Sequence, residues 1–318
     1  MDKFMALLKV VRFSNLLIIL LIQILIKFYL INAYLNNITL SNINFSIYIF
    51  TLITIVAGGY IINDIYDIEV DTINKPNKTI IEQRLSKGTA IQIYYIINFI
   101  AISSGFYIAF QLEKIWLGFI FIFFAYSLYQ YSKNYKTKFL IGNLQVAFLT
   151  ALSILILALF DLPSTEITST NGSSIIFYII LIYAGFSFIT TLIREIIKDL
   201  EDIEGDRKIG ANTLPISCGI AKTKKIIRSL ILIPIIGIGY FQYFQYSVLS
   251  SEFSIDLVYW GVNSTSVIYT FLLQSLLVIL LIKTGNSSKK ADFHSLSLIC
   301  KIIMLIGILS IPLFYFLY

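Results

Sequence analysis

Nine apolar runs, at 13–33, 44–62, 91–111, 115–132, 138–160, 174–194, 225–246, 263–282 and 296–317, dominate the 318 residues of this chain. Each approaches the ~20 residues that a helix needs to cross a hydrocarbon layer ~30 Å thick. Composition points the same way. Hydrophobic residues make up 58% of the chain and charged residues 13%, with a mean hydropathy of +0.84, whereas about 25% of a soluble domain is charged. The expected fold class is therefore all-α, a polytopic membrane protein with nine transmembrane helices. No Pro-rich or Gly/Ser-rich linker interrupts the sequence, so residues 1–318 are expected to form a single membrane domain.

The basic residues set the expected orientation. Counting the gaps between runs alternately from the N-terminus places 21 of the 24 Lys and Arg residues on one side. They are Lys3, Lys9, Arg12, Lys75, Lys78, Arg84, Lys87, Lys133, Lys136, Lys138, Arg194, Lys198, Arg207, Lys208, Lys222, Lys224, Lys225, Arg228, Lys283, Lys289 and Lys290. Cytoplasmic loops are enriched in Lys and Arg, which predicts a cytoplasmic N-terminus, an external C-terminus and insertion in the cell (inner) membrane. Of the three remaining cations, Lys27, Lys114 and Lys301, only Lys27 falls toward mid-membrane, and its ammonium is expected to extend outward to the interface. Residues 1–30 have the charge order of a secretory signal, but the apolar stretch is long and lacks a small-residue cleavage site. A retained first helix is expected. The net charge of +6 follows from the loop asymmetry, favours anionic headgroups and phosphates, and gives no reason to expect nucleic acid or a protein partner.

Acidic residues are concentrated instead. The pattern Asp-x-x-Asp-x-x-x-Asp occurs at Asp64/Asp67/Asp71 and again, 135 positions later, at Asp199/Asp202/Asp206. With Glu69, Glu195, Glu201 and Glu204 these two stretches hold ten of the 18 acidic residues. In a continuous helix this spacing puts all three carboxylates of a set on one face. Oxygen-only ligands of this kind favour Mg²⁺, which commonly bridges carboxylates to substrate phosphates. Carboxylates at a membrane boundary are costly unless paired or metal-bound. A solvated helix end would explain either motif alone, and the matched spacing on one side of the membrane argues for metal and diphosphate. The cysteines, Cys218 and Cys300, have no disulfide, zinc or haem spacing, and the single His294 is read as a loop residue.

The stretch Gly58 to Lys78, with Asn63-Asp64-Ile65-Tyr66-Asp67-Ile68-Glu69-Val70-Asp71, and the stretch Arg194 to Asp206, followed by Thr213-Leu214-Pro215, resemble the UbiA family of intramembrane prenyltransferases. The resemblance covers essentially the whole chain. It implies a nine-helix UbiA-like bundle with a cytoplasm-facing active-site cavity, and Mg²⁺-dependent transfer of a polyprenyl group from its diphosphate to a lipophilic acceptor in membrane lipid. Within the family these strings most resemble the branch that uses a geranylgeranyl donor and geranylgeranylglyceryl phosphate as acceptor. An aromatic acceptor of the hydroxybenzoate, naphthoate or homogentisate type is the alternative.

For that chemistry the residues divide by task. Asp64, Asp67, Asp71, Asp199, Asp202 and Asp206 would hold Mg²⁺, neutralising the diphosphate as it leaves the allylic carbon. Lys75, Lys78, Arg194 and Lys198 are candidates for the phosphate oxygens left uncovered, although positive-inside topology alone would also place them here. Asn15 and Asn63 resemble the family's polar contacts to metal and diphosphate. Phe13-Ser14 departs from the proline that related chains carry before the asparagine. Lys133 and Lys136, with Lys138, offer a second cationic site for a phosphorylated acceptor. An allylic cation must be kept from water. Tyr60, Tyr66, Phe124, Tyr126 and Tyr131 are candidates to line its chamber, among 46 Phe and Tyr residues that packing would also explain. A phosphatidyltransferase of the CDP-alcohol type is excluded because its Asp-Gly/Ala-Arg spacing is absent. A membrane cation transporter is disfavoured because broken-helix glycine signals are weak.

Overall fold

Inside hydrocarbon every backbone polar group must be bonded internally, and the chain meets this with helices. A computed structural model describes residues 3–35, 38–74, 80–162, 172–249 and 261–317. A short α1 (Lys3–Val10) precedes α2 (Phe13–Tyr34) and α3 (Asn42–Tyr66), and a short α4 (Ile68–Asn74) comes next. Beyond it lie α5 (Lys87–Gln111), α6 (Ile115–Tyr135), α7 (Ile141–Asp161) and α8 (Gly172–Glu201). Two short helices, α9 (Ile203–Lys208) and α10 (Leu214–Cys218), lead into α11 (Ile220–Leu249), α12 (Ser264–Asn286) and α13 (Lys290–Phe316). Among the described residues nine helices are long and apolar enough to span a membrane: α2, α3, α5, α6, α7, α8, α11, α12 and α13.

Local chemistry fixes several of the starts. Ser41, Ser86 and Asn263 cap α3, α5 and α12, their side-chain oxygens accepting from the backbone N–H three residues on. Asp292 accepts from the N–H groups of Ser288 and Lys289 at the head of α13. Helices α3 and α8 run past the apolar stretches that predicted them, to Tyr66 and Glu201. Both acidic motifs therefore begin on helix rather than in loops.

The chain packs as two compact units, one of Met1–Gln23, Thr39–Gln145 and Ile203–Thr213, the other of Ile24–Ile38, Val146–Asp202 and Leu214–Tyr318. In the first, α3 packs against α5 and α6. Near its polar end Ile61, Ile62 and Ile65 join Val10, Ile81, Ala90 and Tyr94 in a buried cluster, which anchors the last turns of α3. In the second, α8 packs against α11 and α13, and α12 against both of these.

Close approach of α5 and α6 depends on Gly105, where an added Cβ would overlap the Phe121 ring. Gly105→Ala is expected to cost about 1–3 kcal/mol, the usual penalty of overpacking. The check is thermal unfolding of the detergent-solubilised protein, and an unchanged midpoint would contradict this packing.

Lys27 does not extend to the interface. It lies in a π-helical turn, Lys27–Ile31, with its side chain fully buried and its Nζ donating to Asp161 Oδ2 at 2.7 Å. The carboxylate that ends α7 supplies a buried partner that hydropathy along the first helix cannot reveal. His294 is likewise on α13 rather than in a loop, its Nδ1 2.9 Å from Glu201 Oε1.

Candidate active site

In the first unit the last turn of α3 carries Asn63 and Asp64, and the helix then breaks. Asp67 sits at the break with φ −88° and ψ 0°, and α4 resumes one residue later with Asp71. The helix expected to carry Asp64, Asp67 and Asp71 is therefore bent at Asp67, although Asp67 N–H still donates to the Asn63 carbonyl at 2.9 Å and Asp71 N–H to the Asp67 carbonyl at 2.8 Å. At this bend Asp67 Oδ2 accepts from Asn63 Nδ2 at 2.6 Å and from Lys136 Nζ.

Arg12 occupies the equivalent position on Asp64, its Nη2 donating to Oδ1 at 3.2 Å. It stands at the junction of α1 and α2 with φ +51°, a conformation uncommon for residues other than glycine. The guanidinium also lies 4.8 Å from the centre of the Tyr60 ring, and Asn15 Nδ2 donates to the Tyr60 hydroxyl at 3.2 Å. Arg12 and Asn15 are therefore both registered against one turn of α3, from Tyr60 to Asp64. Sequence reasoning placed Asn15 here but gave Arg12 only a topological role.

Lys136 reaches Asp67 because α6 ends in a π turn, Tyr131–Tyr135, that shifts the register of the loop beyond it. Gly142 permits this turn to close. A Cβ there would lie 2.7 Å from the Tyr135 carbonyl oxygen. Burial works against the positive charge of Arg12 and of Lys136, but the carboxylates of Asp64 and Asp67 respectively outweigh it and hold both pKa values above normal. Both side chains are cationic at neutral pH. Lys133 has a different partner, the Tyr129 ring at 5.5 Å, so the two lysines expected to serve one acceptor phosphate are separately engaged.

The second motif is also interrupted. Asp199 is on α8, Asp202 lies at the break between α8 and α9, and Asp206 is on α9. Helix α9 packs against α4 within the first unit, bringing the helices that carry Asp206 and Asp71 together. The backbone N–H of Asn212 donates to the Thr137 carbonyl at 2.8 Å, tying the segment after α9 to the loop of Lys136. In the second unit Arg194, Glu195, Lys198, Asp199 and Asp202 share the end of α8. Arg194 Nη1 and Lys198 Nζ both donate to Glu195. Lys75 and Lys78 lie outside the described residues. Of the candidate chamber aromatics, Phe124 is buried, whereas Tyr66 and Tyr126 are exposed.

These residues fit a hard divalent cation. The donors around Asp67 are oxygens in a buried setting, Arg12 and Lys136 supply positive charge to the carboxylates, and Asn63 Oδ1 is buried without a hydrogen-bond donor. Among the described residues no three Asp, Glu, His or Cys side chains converge as a complete cage. Mg²⁺ does not require one, since it is usually held by one or two carboxylates together with substrate phosphate and water.

The model of the UbiA prenyltransferase family matches residues 24–299, and the chain belongs to that family. It is 34% identical over 190 residues to a digeranylgeranylglyceryl phosphate synthase of Sulfurisphaera tokodaii, covering 60% of this chain and 63% of that relative. The enzyme of the same description from Sulfolobus acidocaldarius is 38% identical over 178 residues, covering 56% and 58%. The matched segments thus span about three fifths of those relatives' lengths. A solved structure concerned with digeranylgeranylglyceryl phosphate synthase in membranes superposes with a TM-score of 0.64 at 24% identity, covering 100% of both chains. A UbiA homologue from Archaeoglobus fulgidus bound to GPP and Mg²⁺ superposes with a TM-score of 0.51 at 16% identity, covering 96% of this chain and 99% of that one. At these identities the structural likenesses bear on the fold.

Proposed function

We propose that this protein transfers a geranylgeranyl group from its diphosphate to the free hydroxyl of geranylgeranylglyceryl phosphate, as a single prenyltransferase domain with its chemistry on the cytoplasmic side of the cell membrane. The observation that carries the reading is the pairing of Asp64 with Arg12 and of Asp67 with Lys136 at the break after α3. Carboxylates able to hold a metal and cations able to hold a phosphate there share one site. The names of the curated relatives support the glycerol-phosphate acceptor. The Archaeoglobus fulgidus homologue, bound to GPP and Mg²⁺, supports diphosphate and metal use.

Asp64, Asp67, Asp71, Asp199, Asp202 and Asp206 would hold Mg²⁺, with Asn63 supplying a neutral oxygen. When bound, the metal supplies Lewis-acid neutralisation of the diphosphate. Arg12 and Lys136, already cationic, turn from their carboxylates to the phosphate oxygens, with Asn15 and Tyr60 steadying Arg12. Arg194, Lys198, Lys75 and Lys78 are further candidates for contacts to phosphate oxygens. Lys136 then serves the donor. Lys136→Gln should raise the Michaelis constant for the prenyl diphosphate about tenfold to a hundredfold, the value of one charge-assisted contact, while that of the acceptor stays unchanged and Lys133→Gln has little effect on either. The opposite split would return Lys136 to an acceptor site.

The direct test incubates the purified protein with radiolabelled geranylgeranyl diphosphate and, separately, geranylgeranylglyceryl phosphate, 4-hydroxybenzoate, a dihydroxynaphthoate and homogentisate. Labelled product is expected with the glycerol phosphate alone, to vanish with a chelator and to return with Mg²⁺. Prenylation of an aromatic acceptor in its place would overturn the assignment.

A further inference from the structure

We propose that Glu195 is a positioning residue that holds Arg194 and Lys198 as a two-pronged receptor for phosphate oxygens. The inference rests on the proposed use of a prenyl diphosphate. It adds a residue to which no role in the reaction has been given.

Glu195 lies one helical turn before Asp199 on α8, with its side chain only 10% exposed. Its Oε1 accepts from Arg194 Nη1 at 2.8 Å, and its two oxygens accept from Lys198 Nζ at 3.3 and 3.1 Å. One buried carboxylate therefore fixes two cations that would otherwise have many rotamers. Arg194 is not satisfied by this arrangement. Its Nε–H is buried and has no hydrogen-bond acceptor, and a guanidinium carries five donors in a rigid fork suited to a phosphate. A buried donor without a partner is costly, and an anionic oxygen would relieve that cost. Within this trio one carboxylate is shared by two cations.

The test measures binding, so that turnover is not its only readout. The probe is geranylgeranyl S-thiolodiphosphate, a slowly reacting donor analogue, titrated with Mg²⁺ against the full-length protein in detergent. Glu195→Ala should weaken binding about tenfold, as expected for loss of one well-oriented charged contact, with Glu195→Gln intermediate and Glu195→Asp restoring part of the loss. The same Glu195→Ala change in an Arg194→Ala/Lys198→Ala background should have almost no further effect, because a residue that acts through its neighbours shows strong non-additivity with them. Size-exclusion profiles select the variants that remain folded, and Glu195→Gln, which keeps the side chain's shape, carries the test if Glu195→Ala does not fold. Unchanged affinity, or a loss that simply adds to that of the double variant, overturns the positioning role. Failure of the unmodified protein to bind the probe would overturn the proposed function itself, and is distinguishable because it precedes any substitution.

Discussion

Asp67→Asn is expected to reduce prenyl transfer by about 10³-fold or more while leaving the protein inserted and folded. Asparagine keeps the size of the side chain and one oxygen, so the break after α3 and the bonds from Asn63 and Lys136 retain acceptors. The change removes the negative charge. Loss of one preorganised electrostatic contact to a transition state typically costs about 10²–10³ in rate. A ligand of the proposed metal should lie at or above that range, because the Lewis-acid contribution is worth several kcal/mol. Activity should not be regained by raising donor concentration, since the loss lies in kcat. Single-turnover rates at saturating geranylgeranyl diphosphate and Mg²⁺ would measure this. If the variant kept a tenth of the original rate, Asp67 would have no direct role in neutralising the leaving group.

The second large effect lies away from the acidic motifs, at Lys27 and Asp161. Both side chains are fully buried and joined at 2.7 Å. Removing one member of such a pair leaves an uncompensated charge, at a cost of about 3–5 kcal/mol, whereas replacing both with apolar groups of similar volume is often neutral or stabilising. Lys27→Met and Asp161→Leu should each lower the unfolding midpoint strongly in detergent, and the double variant should recover most of the loss. Prenyl transfer by the double variant should persist, since neither residue belongs to the acidic motifs or their cationic partners. Equal destabilisation by the double variant would show that the pair contributes specific bonding rather than mutual charge compensation.

The sequence alone determined the nine spans. Hydrocarbon admits few backbone solutions, and runs of about 20 apolar residues leave little choice. It also located the six aspartates, because carboxylates are rare in so apolar a chain and their spacing repeats. Family membership followed from the same two stretches. The three-dimensional partners were not legible. Arg12 is 52 residues from Asp64, and Lys136 is 69 from Asp67, so no local pattern links them. The π turn at Tyr131–Tyr135 that aims Lys136 depends on packing beside Gly142. The bends at Asp67 and Asp202 were not legible because helical periodicity assumes an unbroken backbone. Lys27 was misjudged for a related reason. Hydropathy treats a charge as isolated, whereas the fold gave this one a buried carboxylate 134 residues away. Which elements cross the membrane is decided by transfer of side chains and backbone from water to lipid, a property each segment carries by itself. Which charges meet is decided only when distant segments pack, and tertiary structure alone supplied that.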